Sequence, residues 1–360
     1  METILPVLPP ETYVNDYDPS LIITGTLINS HFPFRGLIDP LEIITVMERY
    51  SEPGVENVLL RFSDQYYGRA DDSPKAVAKF IDVFEDCIGE PTSGLLDCLE
   101  KLRKISGRWG GEKYHDKVFE AFYLIHEAFN QLHAVAPRYC RHLLFVRVSL
   151  RYLTRPLVIK PELLTPDEEN YFLPHIFNVC QSEARTDYID IHGGRFSGTQ
   201  TWSDQGFRGA LNKLKKAADD LESLEGAPEG EWLRKVALGL RMYAGYLRSI
   251  DNFYHAQLIR DRNAEVLAGE PRIPEKVGSW DGHPDILPWN EIMRDEFDNT
   301  NELISMLENG GMELVAYAKD PRYEDTFLLG PDLIGQLKKK ARIMRAHWLD
   351  VAKYLAMPHK

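Results

Sequence analysis

The sequence is short of cysteine, short of positive charge and without a long apolar run. Its four cysteines are Cys87, Cys98, Cys140 and Cys180. None forms a C-x-x-C pair or stands beside a histidine at zinc-finger spacing, so a disulfide framework and a structural zinc site are not expected. The expectation is reduced, mostly buried thiols in a cytoplasmic protein. Against 55 Asp and Glu there are 42 Lys and Arg, a net charge of −13 at pH 7. A general nucleic-acid binder needs a positive stripe to neutralise phosphates, and an anionic membrane surface would repel this balance. No stretch approaches the roughly 20 apolar residues of a membrane span. The first twenty residues have no basic segment followed by an apolar one, so a secretory leader is not expected. Repeats of about 20–50 residues are lacking too. No nucleophile elbow, H-E-x-x-H or strand–G-x-G-x-x-G–helix unit occurs, which leaves hydrolase, kinase and dinucleotide readings unsupported.

What is present is an ordinary globular composition, 44% apolar and 27% charged, patterned for helices. Residues 1–70 are rich in proline and read as an arm packed on the body, with one short helix from about Pro40 to Tyr50. Residues 71–360 read as a single helical domain, bundle-like and mainly α. Apolar residues at steps of three and four predict helices over Ser73–Ile88, Thr92–Ile105, with Leu95, Leu96, Leu99 and Leu102 inward, and Lys113–Ala134. Further helices are expected over Pro137–Tyr152, Phe207–Leu224, Glu231–Arg262, Asn290–Leu307 and Pro331–Ala356. Two long irregular segments, Thr154–Gln205 and Gly269–Pro288, separate them. No strand pair is expected. Asn309-Gly310-Gly311 is a helix stop.

Histidines carry most of the functional information. In the last predicted helix Leu333, Leu337, Met344, Trp348, Val351 and Leu355 face the core, and His347 projects from the edge of that face. A buried imidazole without a partner costs about 1–3 kcal/mol, so it must find an acceptor or a metal. Haem iron is one such partner; a carbonyl or carboxylate is the plainer one. On the Lys113–Ala134 helix His115, Phe119, Phe122, His126, Phe129 and His133 share one face. That face suits the wall of a pocket for a flat ligand, with Phe122 and Phe129 against it and His126 or His133 bonding oxygen or substrate. Aromatic core packing, with the histidines satisfied at its edges, is the plainer reading. Glu112-x-x-His115 is half of a carboxylate-bridged di-iron signature, and Asp251 with His255 could add two ligands.

The string Met344-Arg345-Ala346-His347-Trp348-Leu349-Asp350-Val351-Ala352-Lys353-Tyr354-Leu355 resembles the proximal-histidine helix of the indoleamine/tryptophan 2,3-dioxygenase superfamily. Length and helical content are similar to its pyrrolnitrin-pathway branch. The resemblance implies a haem-dependent oxygenase with His347 as the axial iron ligand, acting on an indole or other aromatic amino-acid-like substrate and dioxygen. An arginine after an aromatic pair, Arg248 or Arg260, would hold the substrate carboxylate. The family's glycine-rich loop follows its histidine. The only comparable segment here, Gly193–Thr199, lies upstream and offers Ser197 and Thr199 as substrate contacts. Two alternatives stand beside this reading: a non-catalytic helical protein that binds a small molecule or partner, and a non-haem iron oxygenase. Partners of the nucleic-acid and membrane classes are not expected. A homo-oligomer is left open.

Overall fold

The computed structural model describes residues 34, 37–48, 79, 82–83, 85–87, 94–135, 152–170, 197–272, 282–318, 320–324 and 329–356, with strand pieces at 22–23, 27–28, 58–59 and 62–63. Among these the protein is mainly helical, as its periodicity requires. The short helix expected after Asp39 is α1 (Pro40–Glu48). Asp39 Oδ1 accepts the Glu42 N–H at 3.1 Å, and Pro40 occupies the first turn, where no N–H is needed. Leu41, Ile43, Ile44 and Met47 drive α1 into the core. Four two-residue strands precede and follow α1 in the chain: β1 (Ile22–Ile23), β2 (Leu27–Ile28), β3 (Val58–Leu59) and β4 (Phe62–Ser63). β1 lies parallel to β3, and β2 to β4, pairings that the periodicity did not predict. The rest of the expected arm lies outside the described residues, as do most of the helices expected over Ser73–Ile88 and Pro137–Tyr152.

The two helices expected over Thr92–Ile105 and Lys113–Ala134 join as α2 (Leu95–Val135), kinked at Gly111 with φ 68°. A Cβ there would meet left-handed strain and the Pro228 ring at 3.3 Å. Leu95 and Leu96, expected inside, are 63% and 77% exposed. Burial of α2 begins only at Cys98, so its first turn carries both leucines in solvent. α3 (Pro166–Asn170) is a single turn. α4 (Ser197–Glu222) starts well before the expected Phe207. Its polar opening offered no apolar period, yet extending a formed helix needs only one more hydrogen bond per residue.

α5 (Gly230–Arg262) and α6 (Ala264–Leu267) follow. α7 (Ile286–Glu308) ends where expected, with Gly310 left-handed at φ 104°. The predicted helix Pro331–Ala356 is broken instead into α8 (Leu333–Ala346) and α9 (Asp350–Leu355). His347 closes α8, and Asp350 opens α9 with its carboxylate near the positive helix end.

α2 packs on α1 and α4, α4 on α5, α5 on α7 and α7 on α8. The larger core fills the space between α1, α2, α4 and α5, centred on Trp109, Phe122 and Tyr246. α5 and α7 come close because Gly245 has no side chain: a Cβ there would sit 2.9 Å from Leu303. A smaller core joins Leu157 and Ile159 to Trp289, Met293, Met344, Val351 and Tyr354.

Candidate acid–base site

Where α1 meets α2, three ionisable side chains converge. The Asp39 carboxylate has two jobs: Oδ1 caps α1, and Oδ2 lies 2.8 Å from His126 Nδ1. The Asp39 side chain is 3% exposed and that of His126 17%. The neutral imidazole therefore donates its Nδ1 proton to Asp39, and Nε2 accepts from the Asn130 amide at 2.8 Å. Asn130 lies one helical turn beyond His126 and is exposed, and the imidazole itself is partly exposed. If Nε2 gains a proton, Asn130 can turn its carbonyl oxygen toward it.

Electrostatics raise the pKa of two of these groups. Burial, then the Asp39 charge, pushes the Glu42 carboxyl up to about 7, with His126 opposing. Burial disfavours the imidazolium of His126. The hydrogen bond and charge of Asp39, helped by Glu42 and Glu127, outweigh that and raise its pKa. The cluster thus holds a neutral-range carboxyl and a basic imidazole around one anchored carboxylate.

The second candidate histidine stands elsewhere. His347 Nδ1 lies 2.7 Å from Asp350 Oδ2, while Nε2 faces Glu168 Oε2 at 3.5 Å. Thr165 donates to Glu168 through backbone N–H at 2.8 Å and hydroxyl at 3.0 Å. Burial raises the Glu168 carboxyl, but these bonds and His347 lower it overall. Both ring nitrogens of His347 therefore face carboxylates. Iron at Nε2 would have to displace Glu168. Among the described residues no three His, Cys, Asp or Glu side chains converge as a metal site would.

Among the described side chains the other sequence candidates do not gather around either histidine. Phe122, expected to line a pocket, is fully buried: its ring lies 5.2 Å from Trp109 and stacks on Trp232 at 6.1 Å. Phe129 packs edge-on to Tyr243, also in the core. The aromatic stripe therefore serves packing, because α2 turns that face toward α5. Arg248, expected to hold a substrate carboxylate, donates through Nε to Asp295 at 2.7 Å and through Nη1 to Glu302 at 3.2 Å. Arg260 Nη1 donates to Gln257 one turn earlier at 2.9 Å. His133 lies on α2 and Ser197 and Thr199 on the first turn of α4, with side chains outside the described set. His115 Nδ1 bonds the Glu112 carbonyl rather than its carboxylate. His255 Nδ1 bonds the Asp251 carbonyl at 2.8 Å and lies 3.4 Å from its carboxylate.

Several charged residues of consequence escaped the sequence reading although the signal was there. Asp39-Pro40-x-Glu42 is a capping pattern, N-cap with glutamate three residues on. Lys340 lies three residues after Leu337 and four before Met344, on the apolar face of α8. Glu296 lies three after Met293 and four before Thr300, on the apolar face of α7. A charge on a buried stripe demands a partner, and these two are each other's. Comparison of the chain with protein-family models, with curated proteins and with solved structures finds no match.

Proposed function

We propose that Asp39, Glu42 and His126 form a general acid–base centre that moves a proton on a small polar substrate. The carrying observation is the pairing of a carboxyl raised to about 7 with a histidine raised beside it. Proton transfer is most efficient when donor and acceptor change state near the working pH. Asp39 fixes the imidazole through Nδ1, which leaves Nε2 to Asn130. A substrate oxygen or acidic C–H would take the place of Asn130 at Nε2, and Glu42 would supply or receive the second proton.

The test is an NMR titration of the histidine ring signals, assigned with His126→Gln. The expected curve for His126 lies above that of an ordinary histidine and has a second inflection near 7 that Glu42→Gln removes. A single ordinary titration, unaffected by Glu42→Gln, overturns the proposal. The chemistry is then read as deuterium incorporation from solvent into enolisable keto acids, lost in His126→Gln. Binding without exchange would instead favour the non-catalytic ligand-binding protein.

A second reading, the haem oxygenase, is carried by the resemblance around Arg345 and His347. It requires His347 to turn away from Glu168. Absorbance after haem reconstitution decides it: no Soret band, or one unchanged in His347→Ala, ends that reading.

A further inference from the structure

The segment between α2 and α3 contains a stretch, residues 152–159, that is buried without being part of a long helix or a sheet. Tyr152, Leu153, Thr154, Arg155, Leu157, Val158 and Ile159 are all 9% exposed or less. Backbone carbonyls buried outside regular structure need donors from elsewhere. At Tyr152 and Leu153 the donor is one side chain: Lys340 Nζ, at 3.4 Å and 3.0 Å from the two oxygens.

Lys340 is itself fully buried, and its third partner is Glu296 Oε1, also fully buried. Glu296 is held in turn by Ser249 Oγ at 2.8 Å and Asn252 Nδ2 at 2.9 Å. Tyr152 stacks on Phe253 at 4.9 Å, and the same ring lies 6.0 Å from the Lys340 ammonium. The three donors of one ammonium are thus shared between a helix and two consecutive carbonyls of the irregular stretch. Farther along, Leu157 and Ile159 enter the smaller core, where they meet Trp289, Met344 and Tyr354.

We infer that residues 152–159 form a strap running from the larger core into the smaller one, closed by a latch in which Lys340 clamps the Tyr152 and Leu153 carbonyls against Glu296. The inference is independent of the acid–base reading. The strap's own apolar side chains fill space but cannot satisfy the Tyr152 and Leu153 carbonyls; the lysine donates to both. Without the latch the carbonyls gain by reaching water, so the strap opens as a local unit while the helices stay folded.

The experiment places a reporter in the strap itself. Val158 is 5% exposed, and Val158→Cys is close to it in size. Thiol labelling is followed by peptide mass spectrometry, so that the native cysteines do not contribute. In Val158→Cys alone labelling is slow, and it stays slow after adding Glu296→Gln, since Lys340 still holds both carbonyls. Adding Lys340→Met to Glu296→Gln removes the donor without leaving a buried lone charge. Labelling should then rise about tenfold or more with the helical circular dichroism unchanged. An unchanged rate means apolar contacts alone hold the strap, and overturns the latch. So does an equal rise in Glu296→Gln by itself, which would assign the effect to the ion pair. Should the Lys340→Met, Glu296→Gln chain fail to fold, urea on Val158→Cys with Lys340 intact gives the answer. Labelling at urea concentrations below helix loss supports a strap that opens by itself; coincidence of the two overturns it.

Discussion

The Lys340–Glu296 ion pair and the His126–Asp39 hydrogen-bonded pair differ in what water can reach. Both side chains of the first are 0% exposed. In the second the Asp39 side chain is 3% exposed and that of His126 17%. Burial lowers the Lys340 ammonium from its usual range, with Glu296 pulling the other way. At the other site burial and charge bring Glu42 to about 7. One pair is closed on all sides by Ser249, Asn252 and two carbonyls, and functions as a fastening. The other leaves its imidazole partly exposed, as the proposed proton exchange requires. Desolvation is common to both; access decides between structure and chemistry.

The largest effect should come from breaking the closed pair on one side. Lys340→Met leaves Glu296 buried without its counter-charge and should cost about 3–5 kcal/mol in urea unfolding. Loss under 1 kcal/mol would mean that Glu296 reaches water, and the contrast between the sites would collapse.

A smaller loss is expected at the open pair. Asp39→Ala removes the α1 cap and the His126 partner together, and should cost about 1–3 kcal/mol. Because the imidazole edge can turn to water, this stays below the Lys340→Met loss. The reverse order would show that the α1–α2 junction is the more tightly sealed of the two.

The smallest effect carries a sign. The raised Glu42 carboxyl keeps its proton in the folded state at pH values where the unfolded chain has lost it. Its contribution is fully present below about pH 4.5 and is lost as pH rises to about 7. Glu42→Gln should therefore stabilise by roughly 1–2 kcal/mol near pH 8 and by nothing near pH 4. Thermal unfolding of both chains across that range checks it; a gain that does not vary with pH would remove Glu42 from the titrating cluster.

The sequence made the helices legible in proportion to their apolar stripes. α5, with Val236, Leu240, Leu247 and Ile250 buried in step, was read almost to the residue. So was the stop at Gly310, because a left-handed residue after a helix has few alternatives to glycine. The break at His347 was not legible. Its apolar positions continue in helical register through Leu355, and the competing bond from Asp350 is local geometry that no periodicity records. Leu95 and Leu96 fit a stripe equally well yet face solvent, since a stripe states what could be buried and not what comes to cover it.

His126 was singled out by its place on the aromatic face of α2, but as a ligand's neighbour rather than as Asp39's partner. Residues 39 and 126 meet only because α1 folds back on α2. Arg248 shows the converse. The resemblance offered it as a contact for a substrate carboxylate, and Asp295 on α7 closes on it.

The amino-acid sequence by itself determined that this protein is acidic, cysteine-poor and mainly helical, and where most helices run. Those properties follow from composition and from periods of three and four, which are local. Which histidine would sit open beside a titrating carboxylate, and which lysine would be sealed against a glutamate, was decided only by tertiary structure. A charge's behaviour depends on what desolvates it, and desolvation is a property of the packed chain.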